Sequence, residues 1–490
     1  MGWVDGLFME GFGFSLADNT CLREDPEGYF LHSRLPLRIL RINESLFRLL
    51  QHIRDGGDLS GFVASNPGLD EGHLLRVLLS LSSRGYLKLE KIAEIEHYPV
   101  VSIIIPVRDQ PDDLLECLKS LDGLNYPADR LEIIVVDDGS EKDLSQVVNS
   151  RKVKVIRQAE SKGQAACRNI GAETASGDIL AFLDADCMAG EDWLRETVPF
   201  FHDPKVGAAG GYVDGYYKDS FLDRYEAVAS SLNMGKRLLI EGRSASSFYV
   251  PTANMLVARD VFTSTGGFRD DMRVGEDVDF CWRLRELDHT LIYVPFGKVS
   301  HKHRNHLFKM LKRRADYGTS EAGLYRTHRD KRKVFSGSFF TGLTFLALVV
   351  AVLMMNPYPV AVMLLMFGID LWRKSATLKK FGLVTPRRSL IYATFRSYLS
   401  FFYFAFFHLV RYYLIPVFGL GFLLHSLWLL GGLMIIYTSI VDYYVKKPKL
   451  IYPVFLFFYL LEHLAYQLGV FWGCVRQKYL GSYLVAFRRA

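Results

Sequence analysis

Two long uncharged stretches near the C-terminal end constrain most strongly what this 490-residue chain can fold into. Residues 336–369 and residues 412–441 contain no Asp, Glu, Lys or Arg. Each stretch is longer than the roughly 20 apolar residues that a helix needs to cross a bilayer. We therefore predict that residues 336–490 form transmembrane helices. The expected spans lie at about residues 337–355, 358–372, 391–410, 412–441 and 450–475.

A basic segment comes directly before the first apolar stretch. Between His301 and Lys333 there are eleven Lys or Arg and three Asp or Glu. This charge favours a cytoplasmic juxtamembrane or interfacial segment, residues 305–335, that faces anionic lipid. A solvated basic helix is the alternative interpretation.

The N-terminal sequence and the cysteines bear on localisation. Residues 1–19 carry Asp5, Glu10 and Asp18 and no uninterrupted apolar core, so we predict no secretory leader. We expect a multi-pass protein of the cell membrane whose soluble part lies in the cytoplasm. The six cysteines include no Cys-X-X-Cys pair, which gives no indication of a zinc site or a disulfide framework.

Residues 1–95 predict a small winged-helix-like α+β module. A hairpin is expected over residues 29–42, and three helices and a short strand follow up to residue 89. A nucleic-acid-binding helix would be basic, but residues 74–83 contain only Arg76, so we expect no nucleic-acid partner. We favour peptide recognition, for which strand addition at an exposed edge is one route. A purely structural cap is the alternative.

Residues 96–304 predict an α/β domain. Continuous apolar stretches at residues 101–106, 131–136, 153–156 and 179–183 alternate with helical segments. Continuous rather than alternating apolar strands indicate a sheet that is covered on both faces. In open α/β sheets the ligand binds at the carboxyl ends of the strands.

Carboxylates follow three of these strands. Asp109 lies just after the first strand, Asp137 and Asp138 follow the second, and Asp184 and Asp186 follow the last. Asp109, Asp137 and Asp138 are suitable partners for the base and ribose of a nucleotide. The Asp184-Ala185-Asp186 spacing suits Mg²⁺ or Mn²⁺ held jointly with a substrate's phosphates. An Asp-X-Asp motif alone is weak evidence for a metal site, but the other motifs of this chain strengthen it.

Cations and a glycine lie between these carboxylates in sequence. Lys162 and Arg168 supply positive charge for a diphosphate, and Gly163 allows a close backbone approach. Their order along the chain predicts a binding site for a nucleoside diphosphate.

A later segment supplies a base and a third metal ligand. Asp277 begins a predicted helix, where a carboxylate stays ionised and is able to deprotonate an acceptor hydroxyl. Asp279 is the alternative base. A neutral imidazole suits Mn²⁺ better than Mg²⁺, and two nearby histidines are able to supply it. We therefore expect either His301 or His303, with His301 preferred, to complete the metal site.

The order of these elements resembles the family-2 glycosyltransferases. The resemblance covers about residues 101–304 and implies the GT-A fold, an α/β architecture with a Rossmann-like mixed sheet. It also implies an inverting transfer of a hexose from a nucleotide diphosphate sugar. In that pattern Asp277 is the general base beside Glu276, which we expect at the substrate. Asp184 and Asp186 bind the metal, and Asp137 and Asp138 contact the nucleotide.

Three segments narrow the resemblance further. Residues 273–279, 301–304 and 317–320 are similar to the glycosyltransferases of the mycofactocin system. This similarity implies UDP-glucose as donor, a peptide-derived redox cofactor as acceptor and a β-linked oligosaccharide as product. Residues 1–95 would then be a peptide-chaperone-like domain. The Gln-X-X-Arg-Trp motif of processive polysaccharide synthases is missing, which argues against extrusion of a long chain.

Two other functions fit parts of the same sequence. A transferase that glycosylates a polyprenyl phosphate or a membrane glycolipid would hold its acceptor among the apolar helices. A membrane transporter or scaffold with a degenerate transferase domain belongs to another class. Transport would require intramembrane charges, for which Arg411 and Glu462 are candidates. The intact carboxylates of residues 96–304 argue against degeneracy.

Overall fold

The computed structural model describes residues 12–34, 36–91, 97–144, 148, 153–241, 248–383 and 385–489. Most of the segment on which the leader prediction rests, residues 1–11, lies outside these ranges, as do residues 92–96 next to the predicted domain boundary.

The N-terminal elements include the predicted hairpin and three helices. The strands are β1 (Phe12–Leu16), β2 (Thr20–Asp25), β3 (Gly28–Arg34), β4 (Leu37–Ile42) and β5 (Leu87–Lys91). The helices are α1 (Glu44–Arg54), α2 (Leu59–Ala64) and α3 (Glu71–Ser83). Asp58 and Asp70 cap α2 and α3 because their carboxylates accept hydrogen bonds from first-turn amides. The hairpin, β3 with β4, is confirmed, whereas β1 and β2 were not predicted.

Residues 97–303 contain the α/β region. The strands are β6 (Val101–Val107), β7 (Leu131–Asp137), β8 (Val153–Arg157), β9 (Ile179–Phe182), β10 (Cys187–Ala189), β11 (Val206–Gly210), β12 (Val213–Gly215), β13 (Leu239–Glu241), β14 (Met255–Ala258), β15 (Thr290–Tyr293) and β16 (Val299–His301). The helices are α4 (Pro111–Asp122), α5 (Gln164–Thr174), α6 (Phe221–Ala229), α7 (Arg259–Thr265) and α8 (Glu276–Glu286).

A mixed sheet forms the centre of this region. Within the described residues it has eight strands in the order β13-β15-β11-β14-β9-β6-β7-β8. The four predicted strands β9, β6, β7 and β8 are adjacent and parallel, and β14 runs antiparallel to β9 and β11. Ile103 and Ile105 of β6 pack into one buried cluster, and Ile104 packs into the cluster on the opposite face. The α/β prediction and the prediction of a sheet covered on both faces are thus confirmed.

A small second sheet was not predicted. Strand β16 pairs antiparallel with β10 and parallel with β12, and His301 lies opposite both Cys187 and Gly215. Each strand has only three residues, which is too short to show a periodic pattern in the sequence.

The described residues divide into two compact units. Of the described residues, the first unit contains those up to 20 and those in the ranges 45–218 and 229–303, and the second contains those in the ranges 21–44 and 219–228 and those from 304 onward. Inside the first unit, Arg76 of α3 forms an ion pair with Asp203, and the ring of Phe12 stacks on Phe296 at 5.2 Å. The one basic residue of α3 that sequence analysis considered is therefore paired within the protein. The domain boundaries at residues 95, 304 and 335 stay predictions.

The second unit is mainly helical. Its elements from residue 304 onward are α9 (Leu307–Thr327), β17 (Lys333–Gly337), α10 (Phe339–Leu353), α11 (Tyr358–Lys380), α12 (Arg387–Leu420), α13 (Ser426–Lys446), α14 (Tyr452–Gln477) and β18 (Val485–Arg489). Among the described residues, α12, α13 and α14 are long and apolar enough to cross a membrane, and α10 is a shorter apolar helix.

The predicted division between the third and fourth spans is wrong. We expected one span to end at residue 410 and the next to begin at residue 412, but α12 continues through Arg411 to Leu420. The charge of Arg411 does not interrupt the helix because its guanidinium donates to Glu462 at 3.1 Å and lies 3.5 Å from the ring centre of Tyr466. A buried charge is tolerated when it is paired.

Buried ion pairs join helices of the second unit. Arg314 of α9 donates to Glu226 of α6 at 2.6 Å and lies 3.7 Å from Glu462 of α14. Glu462 also accepts a hydrogen bond from the hydroxyl of Tyr225 at 2.7 Å. Breaking one partner of such a buried pair typically costs about 3–5 kcal/mol because the other charge is left uncompensated. Arg314 is therefore part of a buried network of charges.

Glycines let α9 and α14 approach closely. A Cβ atom on Gly469 would lie 2.0 Å from the carbonyl oxygen of Ala315, and one on Gly473 would lie 2.4 Å from that of Thr319. Backbone atoms cannot move aside as a flexible side chain can, so the crossing requires glycine at these positions.

We expect Gly469→Ala to destabilise the protein by about 1–3 kcal/mol, since an added methyl overpacks the crossing. Gly432→Ala in α13 is the matched control, because a Cβ there meets nothing within 4 Å. The control is expected to be neutral or stabilising, since alanine favours a helix by up to ~1 kcal/mol over glycine. Thermal unfolding in detergent tests the pair, and equal midpoints for the two variants would contradict the close crossing.

Candidate active site

The first part of the site lies where β6 and β7 end side by side. Val107 is paired with Asp137 in the parallel register, and Asp109 follows with a positive φ of 54°. The amide of Asp109 donates to the Ser140 hydroxyl at 2.9 Å, and the Asp109 carboxylate accepts from the amide of Glu141 at 2.8 Å. Asp137 accepts from the amide of Ser140 at 2.9 Å. Asp109 and Asp137 thus fix two loops at one edge of the sheet.

Asp138 organises the loop that leads into α5. Its carboxylate accepts hydrogen bonds from the hydroxyl of Ser161 at 2.8 Å and from the amide of Lys162 at 2.6 Å. The amide of Gly163 adds a further bond at 3.1 Å, and the φ of 92° at that residue favours glycine. The Lys162 side chain is exposed beside this loop. These contacts stabilise the loop, and a nucleotide contact by Asp138 stays a prediction.

Strand β10, which directly follows the Asp-X-Asp motif, pairs with β16, the strand that carries His301. Because Cys187 pairs with His301, the imidazole Nε2 of His301 lies 3.5 Å from the Asp186 carboxylate. His303, the alternative ligand, is buried and packs edge-on against Tyr217 at 5.6 Å. Of the two histidines, His301 is therefore the one that faces Asp186.

The donor groups near Asp186 fit a hard or borderline divalent cation. Ligand atoms of Asp186, Cys187 and His301 lie within 4.8 Å of one another. Burial and the nearby carboxylates of Asp186 and Asp184 raise the pKa of the Cys187 thiol well above its ordinary value. The Asp186 carboxylate and the His301 imidazole are donors that Mn²⁺ accepts, and Mg²⁺ is compatible with the carboxylate. Asp184, the other predicted metal ligand, is not part of this group, and its carboxylate accepts from Arg168.

Arg168 lies between the Asp-X-Asp motif and α8. Its side chain is 1% exposed, and its guanidinium donates to Asp184 at 2.6 Å and to Glu276 at 3.0 Å. We expected Arg168 to contact a diphosphate and Glu276 to lie at the substrate. In the structure the two residues bind each other, and both are buried.

The start of α8 separates the two candidate bases. Asp279 is buried and pairs with Arg283 at 2.7 Å, and Arg283 also donates to the carbonyl oxygens of Thr265 and Gly267. Asp277 lies in the first turn of α8, where burial and the neighbouring charge of Glu276 hold the pKa of its carboxyl above the usual range for aspartate. Asp279 has a structural partner, so Asp277 is the better candidate for a base.

Sequence analysis missed two residues that hold this site together. Gln164 donates to Glu276 at 2.6 Å, and it precedes Arg168 by four residues, a spacing that places both side chains on one face of α5. Lys302 binds Asp113 at 2.7 Å and Glu116 at 2.8 Å, which ties α4 to the strand that carries His301. The helical spacing was a signal for Gln164. The contacts of Lys302 join residues that are far apart in the sequence, so no local pattern indicated them.

Residues 102–264 match the model of Glycosyl transferase family 2. The chain contains a family-2 glycosyltransferase domain. The prediction of a family-2 domain is thus confirmed over these residues, and the mixed α/β sheet is typical of the GT-A fold.

Two curated relatives of the family-2 domain are informative. The Pre-mycofactocin glycosyltransferase of Mycobacterium tuberculosis (strain CDC 1551 / Oshkosh) is 36% identical over 269 residues, which cover 52% of this chain and 56% of that protein. Glycosyltransferase AglE of Haloferax volcanii is 29% identical over 221 residues, which cover 42% of this chain and 70% of its own. This chain thus spans about half the length of the mycobacterial relative.

A solved mannosyltransferase from Pyrobaculum calidifontis, in complex with GDP-Man and Mn²⁺, aligns with 67% of this chain and 94% of its own. The sequence identity is 18% and the TM-score is 0.39.

Proposed function

We propose that this protein is an inverting, metal-dependent hexosyltransferase that uses a nucleoside diphosphate sugar. The observation that carries this proposal is the bridge from Asp184 through Arg168 to Glu276. It brings the Asp-X-Asp motif and the start of α8, where Asp277 lies, to one edge of the sheet. A transferase requires both groups at one site, because the departing diphosphate gains negative charge in the same step in which the acceptor hydroxyl loses its proton.

Each candidate residue has a defined role in this proposal. Asp184, Asp186 and His301 would hold Mn²⁺ or Mg²⁺, which as a Lewis acid would neutralise charge on the diphosphate. Asp109, Asp137 and Asp138 would contact the nucleotide, and the exposed Lys162 would bind its phosphates.

Asp277 performs the proton transfer. The acceptor oxygen forms a bond to the anomeric carbon while the bond from that carbon to the diphosphate oxygen breaks. The proton of the acceptor hydroxyl passes to the Asp277 carboxylate, and the electron pair leaves with the nucleoside diphosphate. Attack opposite the leaving group inverts the anomeric centre.

For the substrates, we propose glucose from UDP-glucose as donor and a peptide-derived redox cofactor of the mycofactocin type as acceptor, with a β-linked oligosaccharide as product. The support is the 36% identity to a protein named Pre-mycofactocin glycosyltransferase. The N-terminal residues through β5 would recognise the peptide-derived part.

A polyprenyl phosphate or membrane glycolipid is the second candidate acceptor. The observation that favours it is the set of apolar helices α12–α14, which offers an apolar surface for a lipid. In either case we propose a multi-pass membrane protein with its catalytic domain in the cytoplasm. The pairing of Arg411 with Glu462 satisfies the charges that a transport function would need, so we do not favour transport.

Transfer assays with the detergent-solubilised full chain test this proposal. The donors are UDP-glucose, UDP-GlcNAc and GDP-mannose with Mn²⁺, and the acceptors are a pre-mycofactocin peptide product and a polyprenyl phosphate. We expect glucose transfer to the peptide-derived acceptor. Transfer to the lipid alone would replace the acceptor assignment, and no turnover of any donor would contradict the proposed activity.

A further inference from the structure

We propose that Arg168 is a positioning residue that fixes the metal-binding carboxylate Asp184 relative to the helix that carries the base, by bridging Asp184 and Glu276. This inference rests on the proposed function, since it assigns Arg168 a task within the same site.

The geometry of Arg168 fits a bridge rather than a substrate contact. Only 1% of its side chain is exposed, and its two terminal nitrogens are directed to different carboxylates, at 2.6 Å to Asp184 and 3.0 Å to Glu276. A guanidinium is planar and holds its donors in a rigid fork, so both carboxylates are fixed relative to each other. A lysine ammonium is a single point charge on a flexible stem and cannot reproduce that fork.

Charge strengthens the bridge. Arg168 is the cation between two carboxylates, of which Glu276 is 4% and Asp184 is 28% exposed at the side chain. Without the guanidinium, these two negative charges would repel each other in a poorly solvated site. Glu276 would keep the amide of Gln164, at 2.6 Å, whereas Asp184 would lose the hydrogen bond from Arg168. The Asp184 carboxylate would then no longer be tied to α8 through the guanidinium.

Arg168 would not bind the metal itself, and it contacts Asp184, one of the proposed metal ligands. Residues that orient a metal ligand typically contribute 10- to 100-fold to metal affinity or activity. The bridge therefore predicts two separable effects. Loss of Arg168 weakens Mn²⁺ binding through Asp184, and it lowers kcat because Asp277 is no longer held at the correct distance from the donor.

The test compares Arg168→Lys and Arg168→Gln with Arg283→Gln. Arg283 is the matched control because it lies on α8 and also binds a buried carboxylate, that of Asp279. The bridge consists of the contacts of Arg168 with Asp184 and Glu276, and Arg283 is not part of it. Mn²⁺ binding is measured by electron paramagnetic resonance on the full chain without donor, alongside thermal midpoints and donor turnover.

We expect both Arg168 variants to weaken Mn²⁺ binding by about tenfold and to lower kcat by about a hundredfold. Arg283→Gln should lower the thermal midpoint and leave the Mn²⁺ affinity within about twofold of wild type, because a merely structural loss does not reach the metal ligands. If Arg168→Lys restores wild-type Mn²⁺ affinity and kcat, the fork is not required and the inference is overturned.

Glu276→Gln tests the other end of the bridge. This variant leaves Asp184, Asp186 and His301 intact, and the bridge predicts that it too weakens Mn²⁺ binding severalfold. If Mn²⁺ affinity is unchanged in Glu276→Gln, Arg168 acts on Asp184 alone and the bridge is overturned. If the wild type turns over no donor while the Arg168 and Glu276 variants lose Mn²⁺ affinity, the proposed function fails and the positioning role is supported.

Discussion

Asp277→Asn is expected to lower kcat by about a thousandfold, because general-base catalysis typically contributes 10²- to 10⁴-fold and an amide cannot accept the proton. The substitution is nearly isosteric, and Asp277 contacts none of the proposed metal ligands in the bonds described above. Mn²⁺ binding and the KM for the donor should therefore stay within about twofold of wild type, since these depend on other residues. Steady-state kinetics with saturating Mn²⁺ measure both quantities.

The pH profile of the wild type provides a second readout. Burial and the charge of Glu276 raise the pKa of Asp277, so its carboxyl takes up a proton at a higher pH than an ordinary aspartate does. A base acts only when deprotonated, so kcat/KM should rise with pH through that raised pKa and level off above it. The rise of kcat/KM should occur at a pH above the ordinary pKa range of aspartate, and it should be lost in Asp277→Asn.

Asp279→Asn is the control for this assignment. Asp279 is bound by Arg283 at 2.7 Å, so its loss should lower the thermal midpoint more than it lowers kcat. A thousandfold loss of kcat in Asp279→Asn, together with near-normal turnover in Asp277→Asn, would exchange the roles of the two residues.

The strands and helices that carry the site could be predicted because their signals are local. Continuous apolar stretches gave β6, β7, β8 and β9, and the carboxylates that follow them lie at one edge, since parallel strands end on the same side of a sheet. The start of α8 was also predicted, since we expected a helix to begin at Asp277 and the helix begins at Glu276.

The contacts between these elements could not be predicted in the same way. The sequence left His301 and His303 as alternatives, and the pairing of His301 with Cys187 places the His301 imidazole at Asp186. The sequence shows the charge of Arg168 but neither its burial nor its two carboxylate partners. Arg411 looked like the end of a span because its partner, Glu462, lies on another helix.

Asp186→Asn is expected to lower transfer by at least about a thousandfold, because a metal ion that neutralises a departing diphosphate contributes several kcal/mol to the transition state. Asp186 is buried and its carboxylate lies 3.5 Å from the His301 imidazole, so an amide there would remove a negative charge from the centre of the proposed donor set. Mn²⁺ binding, measured by electron paramagnetic resonance, should be lost together with transfer.

The two histidines supply matched variants for this metal site. His301→Asn should weaken Mn²⁺ binding by about tenfold or more, since it removes the imidazole that faces Asp186. His303→Asn removes a ring that packs on Tyr217, so it should lower stability and leave Mn²⁺ affinity close to wild type. Near-normal transfer by Asp186→Asn, or a stronger loss of Mn²⁺ in His303→Asn than in His301→Asn, would show that the metal is held elsewhere or that the reaction does not use one.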